Sequence, residues 1–231
     1  MDPVSVAMLG VGTARPAGSI AQQDAAEIAK TFCTPTAQQA RLLPALYNRT
    51  GVKRRGSVLL DPLAAIARAP VFFPPAKRSG DRGPTTLERM TRYATEAAPL
   101  AIDASRRALR DAAVEARAIT QVITVSCTGF AAPGVEVALI TQLGCEPTVG
   151  RTHVGFMGCH GAFYALRVAS ALARTQADAK ILLCSVELCS LHFAYGWDPK
   201  KLVANALFAD GSAAFVLTPM APTPTGQDPA G

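Results

Sequence analysis

The chain has 231 residues, 49% hydrophobic and 17% charged, with a formal charge of +6 and a pI near 9.2. That length buries a substantial core, and the hydrophobic share excludes wholesale disorder. No run approaches the roughly 18 apolar residues of a membrane helix, and the start, MDPVSVAMLG, lacks the basic n-region and cleavage site of a signal peptide. A cytoplasmic protein with no membrane partner is expected. The basic residues are scattered and aromatics are few, which argues against a nucleic-acid partner. The densest basic run, residues 49–55, suits anionic phosphates or is a solvated turn. Six cysteines show no C-x-x-C pair and no His/Cys ligand spacing, so free thiols and no metal are expected.

In chain order, residues 4–9 form a short apolar run that ends in Gly-Val-Gly-Thr, a predicted strand and turn. The Gly10/Gly12 pair resembles a dinucleotide loop, but the third glycine is missing. Residues 21–32 read as a helix. Residues 56–84, rich in Pro and Gly, predict a long irregular connection. Thr85 and Glu88 make a capping box. After it, Leu87, Met90, Ala94, Ala97, Ala101, Ala104 and Ala108 recur at helical steps as one narrow stripe.

Beyond residue 119 the pattern alternates. Strands are predicted at 119–126, 152–156, 180–188 and 212–218, with helices at 133–143, 160–174 and 199–208. Gly144 closes the first of these helices and Asp198-Pro199 opens the last. Such alternation predicts a layered α/β fold with a mostly parallel sheet. The tail from Pro219 onward lacks the apolar content for a core and is predicted to be disordered.

One segment carries chemistry. Val154-Gly155-Phe156-Met157-Gly158-Cys159-His160-Gly161-Ala162 sets a cysteine between a predicted strand and a predicted helix. Its sulfur then sits at a helix N-terminus, where the dipole favours an anionic nucleophile. Gly158 and Gly161 allow close approach of backbone and substrate. The alternative reading is a buried structural cysteine.

This segment resembles the nucleophile turn of chalcone and stilbene synthases, the type III polyketide synthases. Ser126-Cys127-Thr128-Gly129-Phe130, Glu187-Leu188-Cys189-Ser190-Leu191-His192-Phe193 and Ala204-Asn205-Ala206-Leu207-Phe208-Ala209-Asp210-Gly211 are similar to three further family segments in the same order. The resemblance implies a thiolase-like α/β/α fold with a mostly parallel mixed sheet, of which residues 1–218 form the amino-terminal half.

It also implies a set of roles. Cys159 receives an acyl group from a coenzyme A thioester. Cys127, Thr128, Cys189 and His192 line the acyl cavity, and Phe208 gates it. Arg49 meets the coenzyme A phosphates, although flanking basic positions of the family are Leu42 and Ala45 here. Cys127 and Cys189 also have a plain packing reading. The substrates implied are an acyl-CoA starter and malonyl-CoA, with no further cofactor, and the assembly implied is a homodimer.

The family's catalytic histidine and asparagine belong to a carboxy-terminal half, which is expected to lie outside this chain. His160 adjoins Cys159 but is not expected to be its base, because neighbours across a turn point apart. A fragment that acts with a carboxy-terminal partner is the favoured reading. A non-catalytic acyl-binding or dimerising remnant is the alternative, and a fatty-acid-type ketosynthase disagrees with the segments at 187–193 and 204–211. The resemblance puts Cys127, Ala132, Cys189 and His192 at cavity positions where plant chalcone-forming enzymes are rich in threonine and methionine, and so implies a bacterial-type enzyme making alkyl- or aryl-resorcinols, pyrones or a similar polyketide.

Overall fold

The computed structural model describes residues 6–60, 72–76 and 80–220. Five strands form the central sheet in the order β1-β7-β6-β4-β5. They are β1 (Val6–Ala14), β4 (Gln121–Ser126), β5 (Gly150–Gly155), β6 (Ile181–Leu188) and β7 (Asp210–Pro219); a separate two-stranded pair joins β2 (Ser19–Ala21) to β3 (Arg54–Gly56). β4 pairs in parallel with both β5 and β6, whereas β7 runs antiparallel to β6 and to β1. Four of the five strands therefore point one way, and β7 alone runs against them.

The strands show why the sheet is covered on both faces. Leu182, Cys184 and Val186 alternate with Ile181 and Leu183 along β6, and all five are buried. The first set packs under α3 (Thr86–Asp111) and α4 (Val135–Leu143), with Val122, Ala214 and Val216. The second set meets Ala165, Ala169 and Ala173 of α5 (Gly161–Thr175). The result is a helix–sheet–helix stack.

A third cluster lies beside this stack, built by α1 (Gln22–Cys33), α2 (Ala37–Arg49) and α6 (Pro199–Leu207) around Phe32, Leu43, Tyr47, Phe73 and Tyr195. α2 carries few sequence signals. Thr36 caps it through the Gln39 N–H, Pro44 lies inside it, and only Leu43 and Tyr47 are buried.

The capping box on α3 is present in full: the Thr85 hydroxyl accepts from the Glu88 N–H, and the Glu88 carboxylate accepts from the Thr85 N–H at 2.6 Å. The alanine stripe holds from Ala97 to Ala108 but not before it. Leu87 is exposed, Met90 half-buried and Ala94 exposed. At that end Tyr93 is the buried residue, with a ring so close to Gly129 that a Cβ there would lie 2.2 Å away.

Gly10 and Gly12 are not part of a phosphate loop. They lie within β1, against the α3 backbone, where a Cβ on Gly12 would meet the Ala104 carbonyl oxygen at 2.1 Å. Pro219, the first residue of the predicted tail, belongs to β7; residues 221–231 of that prediction lie outside the described residues. So do residues 61–71 and 77–79 of the predicted irregular connection. Among the described residues, no helix is long and apolar enough to cross a membrane.

Candidate active site

Parallel strands end together, and the loops that follow them converge; in open α/β sheets this is where ligands bind. Here the segments after β4, β5 and β6 carry Cys127, Cys159 and Cys189, and all three line one cavity of about 300 Å³. Thr128, His192 and Phe208 line it as well. Six of the seven sequence-predicted site residues thus meet in one place. Arg49 does not: it sits exposed on the last turn of α2, on one face with the exposed Leu42 and Ala45. From the same basic run, Arg55 is the residue that reaches the cavity wall. The far wall is apolar, built from Ile20, Ala25, Ile28, Phe32, Phe73 and Phe193.

Cys159 lies in a single 3-10 turn, Gly158–His160, that runs directly into α5, and it is exposed. The turn is strained at its entry. Phe156 has φ +60° and Gly158 has φ +61°, a region that a bulky side chain seldom adopts and glycine adopts freely. Gly161 is also specified, because a Cβ there would lie 2.9 Å from Val125 Cγ1. His160 turns away from the cavity and packs its ring on Tyr164 and Phe163, with centroids 5.0 and 5.5 Å apart.

Glu187 organises the lining around Cys127 and Thr128, a role not read from the sequence. Its carboxylate accepts the Cys127 N–H at 3.0 Å, the Thr128 N–H at 3.0 Å and the Thr128 hydroxyl at 2.6 Å. The Thr128 hydroxyl oxygen in turn accepts from Leu188 N–H, and the Thr128 carbonyl accepts from His192 Nε2 at 2.5 Å. That hydroxyl is fully engaged, so Thr128 shapes the wall and has no proton to offer a substrate. The visible signal was a carboxylate in an otherwise apolar strand.

Two of the cavity thiols are shifted by their surroundings. Cys127 is pushed up to about 11, first by removal from water and then by the Glu187 carboxylate. Cys189 is pushed up to about 12, by burial first, then by Glu187 and Asp210. Both stay neutral thiols at ordinary pH, and neutral thiols are poor nucleophiles.

Asp210 is the second missed organiser. It is buried, its carboxyl raised by that burial, and it accepts from Ser190 N–H at 2.7 Å, the Ser190 hydroxyl at 2.6 Å and Val58 N–H at 2.8 Å. It thereby ties the segment after β6 to the loop that follows β3.

The family model for chalcone and stilbene synthases, N-terminal domain, matches residues 4–220. An α-pyrone synthesis polyketide synthase-like protein of Mycobacterium tuberculosis is 35% identical over 218 residues, covering 93% of this chain and 52% of that protein. The 1,3,6,8-tetrahydroxynaphthalene synthase of Streptomyces peucetius is 33% identical over 207 residues, 89% of this chain and 50% of that one. The crystal structure of PKS-I from the brown alga Ectocarpus siliculosus superposes with a TM-score of 0.84 at 28% identity, over 98% of this chain and 59% of that chain. The chain thus spans about half the length of the curated relatives it matches. The fold is thiolase-like, and the chain belongs to the chalcone and stilbene synthase family, whose N-terminal domain it matches along nearly its whole length.

Proposed function

We propose that this chain carries the acyl-loading half of a type III polyketide synthase, with Cys159 as nucleophile. The observation that supports this most is the placement of Cys159: an exposed thiol on a strained turn before α5, opening into a mainly apolar cavity. The Cys159 sulfur attacks the carbonyl carbon of an acyl-CoA thioester. The new C–S bond forms as the bond to the coenzyme A sulfur breaks, and coenzyme A leaves with the thiol proton. Cys127 and Cys189, held as neutral thiols, line the acyl chain.

Extension then uses malonyl-CoA, which loses carbon dioxide to give an enolate that attacks the Cys159 thioester in a Claisen condensation. An enolate oxygen needs preorganised donors. None of the three histidines supplies one. His160 packs on α5, His153 bonds Thr124 through Nδ1 at 2.9 Å, and His192 is committed to the Thr128 carbonyl. The donors belong to a carboxy-terminal half, on this polypeptide or another.

Coenzyme A release tests the reading. The chain mixed with an acyl-CoA releases one equivalent and stops, and Cys159→Ala releases none. Equal release from parent and variant contradicts the assignment of Cys159.

A further inference from the structure

Phe208, to which the family resemblance gives the role of gate, is not fixed by its own packing. Its side chain is half exposed, and its backbone is extended just beyond the last turn of α6. What holds it is the main chain. Its N–H donates to the Ala204 carbonyl at 3.0 Å. Its carbonyl, left over at the helix end, accepts from Arg55 Nη2. Arg55 Nη1 donates to the Asn205 carbonyl at 2.5 Å. A guanidinium is a rigid fork, so two donors on one plane fix the distance between residues 205 and 208.

Arg55 is itself fixed. It belongs to β3, whose Arg55 pairs with Ile20 of β2, and its guanidinium lies 5.8 Å from the Tyr47 ring centroid. Tyr47 is fully buried. Beyond the gate, Asp210 is anchored to Val58 and Ser190, and its carboxylate attracts Arg55. The gate residue therefore sits between two clamps, and both draw on the segment 54–58.

We infer that Arg55 is the positioning residue of the cavity entrance: by bridging the Asn205 and Phe208 carbonyls it sets where the Phe208 ring stands, and so which acyl chains reach Cys159. This rests on the acyl-loading reading only for the identity of the ligand. Arg55→Met keeps much of the side-chain bulk and removes both donors. Arg55→Lys keeps the charge but not the fork.

The test compares the rates at which dodecanoyl-CoA and acetyl-CoA modify Cys159, followed by mass spectrometry in the full chain. Arg55→Met is expected to shift the ratio of the two rates about ten-fold, in the direction that Phe208→Ala shifts it, because a charge-assisted hydrogen bond is lost. Arg55→Lys shifts it less. In the Phe208→Ala background Arg55→Met adds nothing, since residues acting through one another are not additive. A general structural role predicts instead that the two effects multiply, or that both rates fall together with the ratio unchanged; either result overturns the inference.

If Arg55→Met does not fold, as judged by circular dichroism, Arg55→Lys carries the same comparison. If the parent takes no acyl group, the loading reading fails by itself. Arg55 is then tested by the rates of N-methylmaleimide and the bulky N-pyrenylmaleimide at Cys159, with the same expected shift and the same contradicting outcomes.

Discussion

Three thiols share the cavity, and the residues around them give each a different standing. Cys127 and Cys189 face Glu187 and are held at about 11 and about 12. A raised value means the neutral thiol is favoured, so at pH 8 only about one Cys127 in a thousand is thiolate, and fewer of Cys189. Iodoacetamide labelling of these two should climb about ten-fold per pH unit up to pH 10 without a plateau. Peptide-resolved mass spectrometry reads this, and a plateau below pH 9 contradicts it. Glu187→Gln removes a charge that opposes the thiolate, so it should speed labelling of Cys127 at fixed pH. The place of Cys159 between β5 and α5 was legible because glycines bracket it between strand and helix patterns. The strain at Phe156 was not, since a positive φ on a bulky residue leaves no mark in residue type. Glu187 and Asp210 stood inside the family-like segments, yet the backbone N–H groups and hydroxyls they hold are partners that residue type does not name.

Among the elements, α3 and β1 show how small residues decide a packing distance. The Ala97–Ala108 stripe lies against Gly10 and Gly12, and no side chain fits between them. Gly12→Ala is expected to cost about 1–3 kcal/mol, as overpacking does, measured by chemical denaturation; an unchanged midpoint contradicts the contact. At the other end of α3, Thr85→Ala removes the cap and should cost about 1 kcal/mol. The Thr85 hydroxyl and N–H hold the Glu88 carboxyl below the usual carboxylate range. A depressed value contributes stability above the ordinary carboxylate pKa and loses it as pH falls through the depressed one. The gap between parent and Thr85→Ala should therefore narrow in acid. The strands and helices beyond residue 119 were readable because their apolar periods switch cleanly. α2 was not, because only two of its side chains are buried and Pro44 breaks the pattern. The glycines of β1 look alike in a phosphate loop and in a close helix contact, and the missing third glycine argued only against the first.

At the scale of the whole molecule, the described residues leave an apolar surface exposed. Phe130, Phe156, Met157, Phe163 and Tyr164 lie exposed in the segments around Cys159 and the start of α5, and β5 is an edge strand. Contiguous exposed apolar surface beside an open edge marks an interaction site. The chain by itself should self-associate in sedimentation experiments, and Phe156→Glu with Phe163→Glu should raise the monomer fraction; a parent that stays monomeric at high concentration contradicts this. The sheet order and the convergence of three loops on one cavity follow from the parallel β4, β5 and β6, and these place Cys159 at that cavity. Loading of an acyl group there is the step we propose for these residues. Intact mass after incubation with a panel of acyl-CoA thioesters, followed by mapping of the modified peptide, measures it most directly. The result expected is one acyl group per chain, on Cys159 and absent from Cys159→Ala. A folded parent that gains no acyl group, or gains it on Cys127 or Cys189, contradicts the assignment.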